Sequence, residues 1–132
     1  MAVCLSAARG RAGPLGRVLG PRASRECPEW PTADDDPLVI GVVARRDFSD
    51  TAYGWALEDT TSFVKLIADP VTRRLLAAHI IGPQAATLIQ PLVQAIYLDN
   101  TVEQLAHDVL YIHPALTEVI AQTLLELPGT PA

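Results

Sequence analysis

Apolar and polar positions change rhythm along this chain, first two-residue, then three- and four-residue. Leu38-Val39-Ile40-Gly41-Val42-Val43-Ala44 is a short run rich in β-branched residues, which reads as a buried strand. Asp47 to Thr60 is polar and mixed, and predicts a loop or the start of the next strand. Thr61-Ser62-Phe63-Val64-Lys65-Leu66-Ile67-Ala68 predicts a second strand and Arg74 to Gly82 a third. The turn signal Asp69-Pro70-Val71-Thr72 between them makes residues 61–82 a hairpin. Gly82-Pro83 then opens a helix whose apolar face is Ala85, Leu88, Ile89, Leu92, Val93 and Ile96. Pro91 lies inside it, where a missing donor and a crowded carbonyl predict a kink. Thr101 with Gln104 forms a capping-box pattern for a short helix to about His107, and Val109 to Ile112 is an apolar connector. A last helix is predicted from Pro114, with Leu116, Val119, Ile120, Thr123, Leu124 and Leu127 on one face, until Pro128-Gly129 stops it. Strands followed by helices imply an α+β fold, an antiparallel sheet of three or more strands covered by about three helices.

Composition divides the chain before this pattern begins. Residues 1–37 hold five of the 11 prolines and four of the eight glycines, and read as a disordered Arg/Pro/Gly-rich extension ahead of a domain at 38–128. The acid-free, arginine-bearing start also resembles a transit peptide. Residues 1–25 carry Arg9, Arg11, Arg17, Arg22 and Arg25 and no acid, a charge of +5; the rest sets 15 acids against five basic residues, −10. An acidic body argues against nucleic-acid binding, which needs clustered Lys and Arg. No apolar stretch approaches the 18 or so residues of a membrane span. Cys4 and Cys27 form neither a CxxC nor a zinc-like pattern, so no metal site is expected, and two unpaired thiols fit a reducing cytoplasm.

The chemistry concentrates in His113-Pro114-Ala115-Leu116-Thr117-Glu118. Histidine carries a proton easily near neutral pH, and a carboxylate within reach can fix its tautomer. With Pro114 opening the helix, Glu118 would lie about one turn inside and reach back to one ring nitrogen. The bland alternative is a capping or core histidine. His79 in a strand and His107 at a helix end are read as structural, and Tyr53 and Trp55 as either core or interface aromatics. No nucleophile or cofactor site accompanies the pair, which suggests half of an active site.

Several ordered blocks carry a resemblance over residues of about 47 to 127. They are Asp50 to Ala56, Phe63 to Pro70, Ala78 to Ala85, Thr87 to Leu92 and His113 to Val119. Together they resemble the C-terminal dimerisation (interface) domain of the pyridine nucleotide–disulfide oxidoreductases, a family that includes glutathione reductase, dihydrolipoamide dehydrogenase and the mycothione reductases, the last resembled most. The resemblance implies a two-fold dimer in which the counterpart of His113, held by the counterpart of Glu118, acts as general acid–base beside the partner subunit's redox dithiol. The full-length enzymes use FAD and NADPH. This sequence has neither the family's cysteine pair four apart nor a GxGxxG fingerprint, so no cofactor is expected in this chain itself. Expected partners are a second copy or a full-length homologous reductase subunit, and not a membrane or nucleic acid. The domain reads as truncated on its N-terminal side, a piece of such an enzyme; the alternative is a non-catalytic interaction module.

Overall fold

The computed structural model describes residues 2–6 and 41–131. A four-stranded antiparallel sheet has the order β1–β4–β3–β2, with β1 at Ala2–Ser6, β2 at Val42–Asp47, β3 at Phe63–Ala68 and β4 at Leu75–Ile81. Side chains alternate across a strand, and in β3 this sends Val64, Leu66 and Ala68 to one face, all fully buried. Register sets Leu66 between Ala44 of β2 and Ala78 of β4, a large side chain flanked by two small ones. Burying a leucine of this kind stabilises by about 1.5–3 kcal/mol.

Helices cover that face. They are α2 (Ala85–Leu88), α3 (Gln90–Tyr97), a π-helical turn at Gln104–Asp108 and α4 (Glu118–Leu125), while α1 (Ala52–Ala56) packs on the turn that precedes it. The period-3.6 face of α4 packs as its spacing predicts: Leu116, Val119, Ile120, Thr123, Leu124 and Leu127 are all buried. Leu92 and Ala95 of α3 and Val102 and Leu105 around the π turn complete the core. The capping box forms, with the Thr101 N–H donating to Gln104 Oε1 at 2.9 Å and the Gln104 N–H to Thr101 Oγ1 at 3.3 Å. Among the described residues no helix is long and apolar enough to cross a membrane.

Five expectations change. Ala2–Ser6, placed by composition in an unstructured extension, pairs with β4 from Ala2↔Ile81 to Ser6↔Ala77. An average over 37 residues hid a five-residue run whose ladder hydrogen bonds come from a neighbouring strand. Met1, residues 7–40 and Ala132 lie outside the described residues, and with them Leu38, Val39 and Ile40 of the first predicted strand. That strand is shifted: β2 includes Arg45, Arg46 and Asp47, since an edge strand tolerates charge, and Arg45 lies 4.3 Å over the Phe63 ring. The segment from Asp47 to Thr60 contains a 3-10 turn at Phe48–Asp50 and α1. Thr51 caps α1, its Oγ1 accepting from the Gly54 N–H and donating to the Phe48 carbonyl. A Cβ on Gly54 would lie 1.9 Å from that carbonyl oxygen, so only glycine lets α1 pack here. The helix after Pro83 is broken, not kinked: Gln84 is left-handed (φ 56°), Ile89 separates α2 from α3, and Pro91 sits in the first turn of α3. A proline there gives up a donor that has no intrahelical partner in any case. The last helix starts at Glu118 and not at Pro114, whose bond to His113 is cis. Its lead-in uses i→i−3 bonds, Glu118 N–H to Ala115 O, Val119 N–H to Leu116 O and Ile120 N–H to Thr117 O, a tighter path than an α-helix.

Candidate functional site

The connector from the π turn brings the chain to His113 with Tyr111 half-buried and packed against the core. Burial pushes the Tyr111 hydroxyl's pKa up. Leu116, 5% exposed, pins the turn that follows, and Val119 and Ile120 pin the start of α4. His113 and Glu118 thus project from fixed points on either side of a short turn.

They meet. His113 Nδ1 and Glu118 Oε1 are 2.8 Å apart. The His113 side chain is 66% exposed and that of Glu118 only 19%. An ionised carboxylate only accepts, so Nδ1 carries the ring proton and Nε2 of a neutral ring is a bare acceptor. Among the described residues Nε2 has no hydrogen-bond partner. Glu118 opens α4, where the helix macrodipole favours a negative charge. Its second oxygen, Oε2, is buried without a partner, as are Gln122 Oε1 and Arg46 Nε.

The other sequence candidates are scattered. His79 of β4 is half-buried and lies opposite Lys65 of β3. Burial, and then the Lys65 ammonium, lower its pKa below 6.5. His107 lies within the π turn, exposed. Tyr53 and Trp55 are on the surface of α1, Trp55 at 75% exposure, and neither is core. Among the described residues no group of three or more His, Cys, Asp or Glu is placed to hold a metal. Two open clefts of about 340 and 580 Å³ lie around residues 49–62 and 81–83, and neither is lined by His113 or Glu118. Among the described residues the His113 ring is exposed and the Glu118 carboxylate largely covered. Sequence reasoning missed Arg46 and Gln122; the signal for Gln122 is its position four residues after Glu118 and four before Glu126, one polar stripe along α4.

Residues 39–124 match the family described as pyridine nucleotide-disulphide oxidoreductase, dimerisation domain. The chain belongs to that family. Among individual proteins it is 51% identical over 82 residues to a mycothione reductase of Mycobacterium tuberculosis, covering 62% of this chain and 18% of that protein. It is 34% identical over 87 residues to a dihydrolipoyl dehydrogenase of Rhizobium etli, 66% of this chain and again 18% of the relative. The chain thus spans about a fifth of the length of these relatives. The crystal structure of LpdA from Mycobacterium tuberculosis superposes with a TM-score of 0.62 over 65% of this chain and 18% of that one. At 24% identity that likeness speaks for the α+β fold.

Proposed function

We propose that this chain supplies the dimerisation domain of a flavin-dependent disulfide reductase of the mycothione reductase kind, and that His113 and Glu118 complete a dithiol site on a second subunit. The observation that carries this is the 2.8 Å contact from Nδ1 to Glu118, with the ring two-thirds exposed and its Nε2 free to act on a group this chain does not contain. In that role Nε2 takes the proton of an attacking thiol. The resulting imidazolium is held by Glu118 and returns the proton to the thiolate that leaves. The sequence carries no GxGxxG fingerprint, and on this reading FAD and NADPH belong to other domains of the enzyme. The exposed side chains of Leu110 (87%) and Ile112 (63%), just ahead of His113, support contact with a second subunit. A homodimer working in the reducing cytoplasm is the form this reading favours.

The test replaces the matching domain of the M. tuberculosis mycothione reductase with residues 41–131 of this chain. The hybrid should reduce its disulfide substrate, and His113→Ala in it should lower kcat by about 10²–10⁴-fold, the usual weight of a general acid–base group, with flavin content unchanged. Turnover within twofold of the unmutated hybrid would refute the role given to His113.

A further inference from the structure

Among the described residues four buried polar atoms lack hydrogen-bond partners, all on α4 or β2: Oε2 of Glu118, Oε1 of Gln122, Nε of Arg46 and Oδ1 of Asp47; the last lies 2.8 Å from the Arg45 guanidinium, which leaves three to be explained. Buried polar groups in folded proteins are nearly always paired, so three orphans in one region call for an account. Placement supplies one. Glu118, Gln122 and Glu126 follow one another at four-residue steps, so they share a stripe of α4 and its C-cap. Arg46 of β2 reaches the far end of that stripe, where its Nη1 donates to Glu126 Oε1. α4 packs on both β2 and β3. Gln122 is one turn from the residue that holds Arg46 and one turn from the residue that holds His113.

A primary amide offers both an acceptor oxygen and two N–H donors. The orphans are one donor, Arg46 Nε–H, and two acceptors, one of them belonging to the amide itself. We propose that Gln122 is a positioning residue for the His113–Glu118 pair. Its carbonyl accepts from Arg46 Nε–H and its NH2 donates to Glu118 Oε2, giving a relay from β2 through Arg46, Gln122 and Glu118 to His113. A Gln122 rotamer that sets its amide between Arg46 and Glu118 would satisfy all three groups and call on no further donor. With Oε2 held, the carboxylate cannot turn away, and Oε1 stays aimed at the ring's Nδ1–H. The histidine tautomer that leaves Nε2 bare is then set from the sheet as well as by its immediate neighbour. This inference rests on reading His113 and Glu118 as an acid–base pair.

The test is nitrogen-15 NMR of the histidine rings in the full 132-residue chain, at a pH where they are neutral, with His113→Gln identifying the His113 signals. The chain should show the Nδ1–H form of His113 in excess, and Glu118→Ala should shift it toward Nε2–H. Gln122→Met, which keeps size but no polar group, should lower the ratio of Nδ1–H to Nε2–H by about fivefold, the change one typical net hydrogen bond supports. Gln122→Glu, which keeps the acceptor for Arg46 but has no N–H for Glu118, should lower it as well, and stands in should the methionine variant not fold. Signals of His79 and His107 should stay in place in both, which a general loosening of the fold would not allow. Gln122 variants with the ratio of the unmutated chain, alongside a shifted Glu118→Ala, would overturn the relay and leave the pair intact. An unshifted Glu118→Ala would overturn the pair itself.

Discussion

The fold lowers the pKa of His79, and the cause is its neighbourhood in the sheet. It faces Lys65, which in turn faces Arg45, so three basic side chains form one row across β4, β3 and β2. Arg45 is drawn aside to Asp47 at 2.8 Å and to the Phe63 ring. Half-burial and the Lys65 charge then hold His79 below its ordinary 6.5. As pH falls, the unfolded ring takes up a proton first, so the unfolded state binds more protons in the window below 6.5. This contribution to stability is complete above that value and is lost as pH falls through the lowered one. Urea midpoints should therefore decline as pH falls below 6.5, and His79→Gln should flatten that part of the curve. An equal slope in the variant would assign the decline to other groups.

At the scale of elements, Arg73 joins three segments that are distant in sequence. Its backbone is left-handed (φ 58°) at the end of the β3–β4 turn. Its side chain donates to Glu103 Oε1 at 2.7 Å, to the Pro128 carbonyl at 2.8 Å and to Thr130 Oγ1 at 2.6 Å. Although burial opposes it, the guanidinium holds the Glu103 carboxyl below its ordinary pKa. Hairpin turn, π turn and the tail of α4 are fastened by one residue. Arg73→Met should cost about 2–3 kcal/mol in urea unfolding, the loss of several partly buried bonds to a charge; a change under about 0.5 kcal/mol would show the clasp to be ornamental. No such clasp can be read from periodicity. The 3.6-residue spacing from Leu116 to Leu127 names the buried face of α4 correctly because burial is what that spacing records. It says nothing of where the helix starts, which the i→i−3 bonds after Ala115 decide. The His113–Glu118 contact is legible because both ends lie within five residues. Arg46 is brought to Glu126, at the far end of the same helix stripe, only by the packing of β2 on α4, which no local pattern encodes.

At the scale of the molecule, Ala2–Ser6 extends the sheet beyond β4 and moves its edge outward to a short strand. Without Ala2–Ser6 the outer N–H and C=O groups of β4 would face solvent as an unpaired edge, a template for association. Removing residues 1–6 should raise light scattering at a given concentration and lower the urea midpoint; a truncated chain as soluble and stable as the full one would make the strand dispensable. The same pairing sets an order of assembly. Ala2 and Ile81 are partners roughly 80 residues apart. At about 5–20 residues per second, β1 is synthesised some 4–16 s before the end of its partner strand. The β3–β4 hairpin can close within microseconds of its own completion. Of the described strands, β1 is thus made before the hairpin it joins and waits for that hairpin before it can dock.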